Sequence, residues 1–407
     1  MAILTASKTR LRVNNKQAAM LFQCINVRRV AFNYALGKWQ QMYDAWKEDN
    51  TKPQPSAFLI DKLFNADKAN LYPWMYDAKS KLIVPSCVGQ EAIKADIKSA
   101  FNNFFRRVKN GETPGYPKFK KRGMGESFTL TSVVVNNNHV SGNKLILPKG
   151  WGTATLGDSI PEGKIKSTTI SYRAGKWWVS FLIEGDYEYE SCGDKIVGID
   201  MGVAKFASLS NGIVYDSAKA LEQNQAKLTK LQRQLAKMEK GSNRRQKQKE
   251  RIAKLHKRIA DIRVSHAHQV SSELSKKYGM IALEDLKLRN MTKSAKGTAE
   301  EPGKQVKQKS GLNRSLLNQG LFEFRRQLEY KTVRHGSVLT LINPAYTSQT
   351  CSACGYVSKE NRKTQAIFAC VECGHIENAD INAAKNILKK GRFKQYGDIG
   401  RNLRTWT

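Results

Sequence analysis

Acidic residues are the chain's most conspicuous shortage. Across 407 residues, Asp and Glu total 35 against 69 Lys and Arg, a net charge of +34. No isolated fold needs that excess. A polyanion partner does, because phosphates draw in Lys and Arg and release condensed counterions. Long apolar runs are also missing: none reaches the ~18 residues of a spanning helix, so no membrane partner is expected. The opening MAILTASKTRLRV alternates like a strand and lacks the apolar core of a signal peptide. Cysteine is sparse. Of seven, four cluster, while Cys24, Cys87 and Cys192 are scattered through apolar surroundings. This excludes a disulfide framework and fits a reducing cytosol with one metal site. Proline is scarce too, and where two fall close together, Pro53 and Pro55, they mark a break.

The pattern along the chain changes several times. Residues 5–13 alternate as a strand. Residues 16–48 are helical in period, and a second helical block covers roughly 57–110. From Pro114 to about residue 185 short strands follow, at 127–135, 144–147, 165–172 and 176–183, with Arg173-Ala174-Gly175 as a hairpin turn. The opening strand therefore reads as part of a β domain split by a helical insert. Residues 195–215 read as two strands joined at Gly202, ending at the turn Asn211-Gly212. Two long helices, 217–240 and 244–278, turn at Gly241-Ser242-Asn243. Leu221, Leu228, Leu231, Leu235 and Met238 line one helix, and Ile252, Leu255, Ile259 and Ile262 the other. A mobile loop is expected over 290–310, a helix over 313–335 and a strand at 337–342.

The clustered cysteines form two pairs, Cys351-Ser352-Ala353-Cys354 and Cys370-Val371-Glu372-Cys373, fifteen residues apart. Each pair can present two thiolates from one knuckle, with Gly355 and Gly374 permitting the tight turn that follows. Four thiolates fill tetrahedral zinc and leave no open position, so one structural Zn²⁺ is expected. The module is too short to hold a core of its own, and metal binding should supply its folding energy.

Three carboxylates stand out. Asp200 closes the apolar run Ile196–Ile199, Glu284 closes Met280–Leu283, and Asp380 precedes the helix-like stretch Ile381–Ile387. Singly, Asp200 reads equally as an acid at a strand end and Asp380 as an ordinary helix N-cap. Together, in so basic a chain, they are what a two-metal nuclease requires: ligands for two divalent cations about 4 Å apart, one activating water and one stabilising the leaving oxygen. Gly198 and Ala282 share strand faces with Asp200 and Glu284, and their small size is expected to leave room for metal and phosphate. The dense basic run Lys118, Lys120, Lys121 and Arg122, beside Tyr116 and Phe119, suits phosphates and stacked bases.

With these segments identified, the sequence resembles the TnpB (OrfB) family encoded by insertion sequences, and the compact type V CRISPR effectors related to it. Gly198-Ile199-Asp200-Met201-Gly202 resembles the first RuvC motif and Leu283-Glu284-Asp285-Leu286 the second. Asn378-Ala379-Asp380-Ile381-Asn382-Ala383-Ala384-Lys385-Asn386-Ile387 resembles the third. Pro344–Gly355 is close to the family's lead into its ribbon. Weaker matches are Arg28-Arg29-Val30-Ala31-Phe32-Asn33, Ala100–Arg107 and Pro117–Lys120, which place Arg28, Arg29, Asn33, Arg106 and Arg107 among candidate nucleic-acid contacts.

The resemblance implies an α+β multidomain protein. Its parts are a β-barrel wedge domain (1–15 and 111–190), an inserted helical recognition domain (16–110), a RuvC nuclease domain of RNase H-like fold (191–345 and 376–407), and a four-cysteine zinc ribbon (346–375). It further implies an RNA-guided DNA endonuclease of a transposable element. Such an enzyme reads a short adjacent motif on double-stranded target DNA, leaves the rest to guide RNA pairing, and cuts with two Mg²⁺ ions on Asp200, Glu284 and Asp380. The expected setting is the prokaryotic cytoplasm, at the nucleoid when bound to DNA, as a monomer with its RNA. Two alternatives stay open: an RNA-guided repressor that does not cut, and a transposase that works without RNA.

Overall fold

The computed structural model describes residues 3–123, 125–186, 192–298 and 300–404. The chain divides into two compact units, residues 1–187 and 188–407.

In the first unit, strand β1 (Ile3–Arg12) leads into a 34-residue helix, α1 (Asn15–Glu48). A capping box starts the helix: Gln17 N–H donates to Asn14 Oδ1 at 2.8 Å, and Asn14 N–H to Gln17 Oε1 at 3.0 Å. The Gln17 amide also donates to the carbonyls of Trp151 and Thr153, so the helix start is tied to the sheet. Helices α2 (Ala57–Leu71) and α3 (Cys87–Glu91) follow. A π-helical turn at Ala92–Ile97 then continues into α4 (Lys98–Lys109). The block expected to be helical over 57–110 is thus interrupted between Tyr72 and Ser86, where Pro73 and Pro85 each deny the chain a backbone donor.

Strands β2 (Ser127–Thr131), β3 (Val140–Ser141), β4 (Lys144–Ile146), β5 (Thr153–Leu156), β6 (Lys164–Arg173) and β7 (Lys176–Gly185) complete the sheet. Its order is β2-β6-β7-β1-β5-β4-β3, antiparallel throughout. The hairpin turn at Ala174-Gly175 has φ of 51° and 77°, a turn whose twist matches its strands. Where a barrel is expected, no ladder joins the two edges β2 and β3 among the described residues. One hydrophobic core runs from helix residues such as Leu21, Ile93 and Phe101 to strand residues such as Phe128, Val179 and Phe181, so insert and sheet share an interior.

The second unit holds a five-stranded sheet of order β10-β9-β8-β11-β12. Its strands are β8 (Lys195–Asp200), β9 (Lys205–Leu209), β10 (Val214–Asp216), β11 (Tyr278–Glu284) and β12 (Val338–Ile342). The first three form an antiparallel meander, and β11 and β12 add parallel to β8. Three strands therefore fill 195–216 where two were expected. Asn211-Gly212 is a hairpin turn inside the meander, with Leu209 N–H donating to the Ile213 carbonyl across it.

Between β10 and β11 lies the hairpin of α5 (Ala220–Ala236) and α6 (Asn243–Lys277). Leu228, Leu255 and Ile259 bury its seam as the periodicity predicts. Arg245 caps α5 by donating to the carbonyls of Leu235 and Met238, both at 2.6 Å. A short α7 (Leu288–Met291) precedes α8 (Val306–Gln319) and α9 (Leu321–His335). The single helix expected over 313–335 breaks at Gly320, whose φ of 72° ends one helix and starts the next. The ribbon follows β12, with a hairpin of β13 (Ile367–Ala369) and β14 (Ile376–Asn378), and α10 (Ala379–Arg404) comes last.

Strand alternation sorts the second sheet into two faces. Val197, Ile199, Ile281 and Leu283 pack with Leu274, Phe324 and Leu328 of α6 and α9. Met280, Ala282 and Ile342 pack with Ile387 of α10 on the other face. No helix is long and apolar enough to cross a membrane among the described residues.

Candidate active site and metal centre

Asp200 and Glu284 sit at the C-terminal ends of adjacent parallel strands, β8 and β11, paired Ile199 to Leu283 just before them. Both belong to the face that α10 covers. Asp380 lies in the first turn of α10. Strand pairing and helix packing thus bring together three acids that are far apart in sequence. The other two acids act on Asp200 electrostatically. Burial, then the neighbouring charges of Glu284 and Asp380, push the Asp200 carboxyl up to about 7, against the pull of Arg362. Burial also raises Glu284, opposed by Thr347 and Lys390. Carboxylates crowded in this way favour either a shared proton or a divalent cation, and an oxygen donor set of this charge fits Mg²⁺.

The small residues beside the acids have a different role from the one expected. A Cβ on Gly198 would lie 2.2 Å from the Ala384 carbonyl and 2.6 Å from the Leu388 amide of α10. From the other side, Gly391 of α10 comes so close that a Cβ there would lie 2.6 Å from Ala282 Cβ. Gly198 and Ala282 make room for the helix, and the helix carries the third acid.

Around the acids stand residues that sequence reasoning passed over. Thr347 hydroxyl lies 2.5 Å from Glu284 Oε1. Asn386, buried on α10, donates to the carbonyls of Thr347 and Thr350 at 3.0 and 2.6 Å. Asn382, one turn earlier, donates to Thr350 O and accepts from Ser352 N–H, both at 2.9 Å. Arg362 reaches Asp380 at 3.6 Å. Spacing signalled the asparagines: two amides four apart on one helix face share a neighbour. Thr347 and Arg362 carried no such signal. Two further basic side chains, His268 and Arg325, lie on the helices behind the sheet. His268 gives its carbonyl to Lys331 of α9, and Arg325 pairs with Asp285 and Glu329.

The cysteines meet as expected. Cys351, Cys354, Cys370 and Cys373 place all four sulfurs within 4.8 Å of one another, the one such tight ligand group among the described residues. Cys351–Cys373 and Cys354–Cys370 are each 3.7 Å apart. A tetrahedral Zn²⁺ with ~2.3 Å bonds to sulfur needs sulfurs roughly 3.8 Å apart, so the donor set fits. The knuckles repeat one another. Cys351 N–H donates to Tyr356 O and Gly355 N–H to Cys351 O; Cys370 N–H donates to His375 O and Gly374 N–H to Cys370 O. Gly355 and Gly374 take φ of 83° and 72°. Asn361, fully buried, ties the knuckles together by donating to Gln349 O and Tyr356 O and accepting from Val371 N–H. His375 turns to Glu377 instead of the metal position.

Among the candidate nucleic-acid contacts, the structure gives three of them internal partners. Arg28 Nε and Nη2 donate to Asp96 at 2.8 and 2.7 Å, and its Nη1 donates to Ser127 O and Oγ. Asn33 both donates to Lys120 O and accepts from Lys120 N–H. Lys120 Nζ lies 3.2 Å from Asp96 and 3.9 Å from the centre of the Phe32 ring. These residues clamp the 118–122 segment onto α1. Arg106, Arg107, Lys118, Lys121 and Arg122 are exposed or nearly so, and Arg29 borders a cavity.

Comparison with known proteins agrees with the motifs. Residues 180–295 match the OrfB_IS605 family, described as a probable transposase. Residues 322–387 match the Cas12f1-like TNB domain, and residues 1–48 the helix-turn-helix domain of the OrfB family. In this chain that last segment is a strand and one long helix. Over 390 residues the chain is 38% identical to the putative RNA-guided DNA endonuclease InsQ of Escherichia coli, covering 95% of this chain and 92% of that protein. It is 29% identical over 391 residues to a putative RNA-guided DNA endonuclease of Streptomyces pristinaespiralis, covering 95% and 89%. A 75-residue stretch is 44% identical to the CRISPR-associated endodeoxyribonuclease Cas12f1 of Sulfoacidibacillus thermotolerans, 18% of each protein. The chain belongs to the OrfB (TnpB) family of insertion-sequence proteins, relatives of the type V effectors.

Proposed function

We propose that this protein is an RNA-guided DNA endonuclease whose cutting centre is Asp200, Glu284 and Asp380. The observation that carries the reading is the convergence of these acids on one face of the second sheet, close enough to raise the proton affinity of Asp200. The sheet order supports an RNase H-like assignment, with an antiparallel meander followed by two parallel strands. In this reading the RuvC domain spans 191–345 and 376–407, the ribbon 346–375, the wedge 1–15 and 111–190, and the recognition helices 16–110.

The acids would hold Mg²⁺, which when bound supplies an activated water and charge stabilisation at the leaving oxygen. Thr347 fixes the rotamer of Glu284, and α10 fixes the backbone that bears Asp380. Arg362 offsets part of the negative charge. Zinc on the four cysteines holds the ribbon, and with it Thr347, in place. The basic surface binds guide RNA and target DNA, and affinity should fall steeply with salt.

The test uses protein purified with its bound RNA, which is sequenced and re-supplied after nuclease treatment. Target DNA should be cut only with that transcript and a divalent cation, and Asp200→Ala, Glu284→Ala or Asp380→Ala should abolish cutting while guided binding persists. Specific cutting by RNA-free protein would favour the RNA-independent transposase. Guided binding with no cutting by the unmodified chain would favour the repressor.

A further inference from the structure

Tyr346 stands one residue before Thr347, whose hydroxyl meets Glu284. Consecutive Cα atoms are ~3.8 Å apart across a trans peptide, so the tyrosine is rooted at the edge of the acid cluster. Its backbone φ is 64°, and among the described residues it is the one aromatic in the left-handed region. Its ring is 64% exposed. Both features cost stability. A bulky side chain is disfavoured at positive φ, and an aromatic ring left in water forgoes the gain of burial.

The backbone here is held on both sides of the ring. Ala345 N–H donates to Asn343 Oδ1 at 2.9 Å, and Ala345 O accepts from Lys390 Nζ at 2.6 Å. Tyr346 O accepts from the Thr350 hydroxyl at 2.7 Å, and from the N–H groups of Gln349 and Thr350 at 3.1 and 3.0 Å. All these bonds are made by the main chain at 345 and 346, and none needs the ring. Glycine would keep them without the penalty. Strain held at a position where the turn does not require the side chain points to a use for that side chain. Its use lies outside the protein: a flat π-face, presented from a fixed turn, beside acids that act on a phosphodiester.

We propose that Tyr346 is a specificity-determining residue of the nuclease, its ring stacking on an unpaired base of the strand being cut while the adjoining phosphate lies at the acids. The role rests on the nuclease reading above; the residue is singled out by its backbone, its exposure and its place beside Thr347. Every base has a π-face, so such a platform accepts any base and selects for one that has left its partner.

The experiment uses the full chain with its bound RNA and has two arms. In the first, cutting is halted with chelator. Target DNA carries the photoreactive base iodouracil, moved one nucleotide at a time along either strand, and adducts are located by mass spectrometry. An adduct on Tyr346 at one or two adjacent positions is expected, and the strand that gives it is the strand the ring reads. No adduct on Tyr346 from any position would overturn the proposal. In the second arm, Mg²⁺ is added and the base at the adduct position is removed. The unmodified chain should cut this abasic target about tenfold more slowly, the worth of one base–aromatic stack. Tyr346→Gly should cut the intact target about tenfold more slowly and lose nothing further on the abasic one. Tyr346→Trp should cut as the unmodified chain does. Glycine suits the left-handed backbone, so the thermal midpoint of Tyr346→Gly should hold or rise, which separates a lost platform from a damaged fold. Full-rate cutting of the intact target by Tyr346→Gly, or a further tenfold loss on the abasic target, would overturn the proposal and leave the nuclease reading intact. If the unmodified chain cuts no target at all, the nuclease reading fails, and the adduct alone decides whether Tyr346 meets a base.

Discussion

Thr347 hydroxyl and Glu284 Oε1 stand 2.5 Å apart, and the carbonyl of the same threonine is held by Asn386 of α10. One residue of the ribbon's lead-in therefore touches the acid on β11 and the helix that carries Asp380. Groups that orient metal ligands in this way commonly contribute 10–100-fold to affinity or rate, as an order of magnitude. Thr347→Val keeps the shape and loses the hydroxyl. Cutting should fall by about 10–100-fold at unchanged affinity for guided DNA, and Thr347→Ser should restore it. A valine variant that cuts at the normal rate would remove Thr347 from the site.

The raised Asp200 carboxyl links stability to pH. Its folded value, about 7, lies above its unfolded value of 3.8, so the folded state holds the proton more tightly. Metal-free protein is therefore penalised progressively as pH rises from about 4 through 7. Thermal unfolding in chelator should show a midpoint that falls over this range. Asp200→Asn should raise the midpoint at pH 8 by several degrees and make little difference at pH 4. Adding Mg²⁺ should stabilise the unmodified chain at pH 8 and not the variant. The same proton competes with the metal, so cutting should decline as pH drops below about 7.

Zinc should be stoichiometric and distinct from the catalytic cation. Elemental analysis after a mild chelator wash should find about one zinc per chain, the number a four-thiolate site takes. Cys370→Ala should lose it. Because the ribbon positions Thr347, this variant should also lose cutting even with Mg²⁺ in excess. A zinc-free variant with full activity would contradict the arrangement.

Gly198→Ala is the smallest change that should separate α10 from the sheet. Its new methyl would lie 2.2 Å from the Ala384 carbonyl, which is backbone and cannot rotate away. Overpacking of this kind costs about 1–3 kcal/mol, so the thermal midpoint should drop by several degrees and cutting with it. Gly37→Ala, on α1 with nothing within 4 Å of its added methyl, is the control and should be neutral or slightly stabilising.

Local chemistry made much of this architecture legible in the sequence. The two Cys-x-x-Cys knuckles, the α5–α6 seam at Leu228, Leu255 and Ile259, and the turn at Ala174-Gly175 all follow from short-range rules. What the sequence hid depends on tertiary contact. Gly198 reads as space beside an acid until α10 is seen to occupy that space. Arg28 and Lys120 read as free cations until Asp96, distant in sequence, is found between them. Gly320 reads as a residue within a helix until its positive φ divides α8 from α9. Thr347 has no signature, because a hydroxyl acquires its role only from what faces it.

The seating of α10 against Gly198 also sets a schedule for synthesis. A ribosome making this chain completes the strands bearing Asp200 and Glu284, then β12, then the ribbon, before the residue that joins them has been added. Until the last helix emerges, the face it covers is open and the third acid is absent. On the proposed assignment of Asp380, the nascent chain can thus fold most of its second unit while still unable to cut, and catalytic competence arrives with α10.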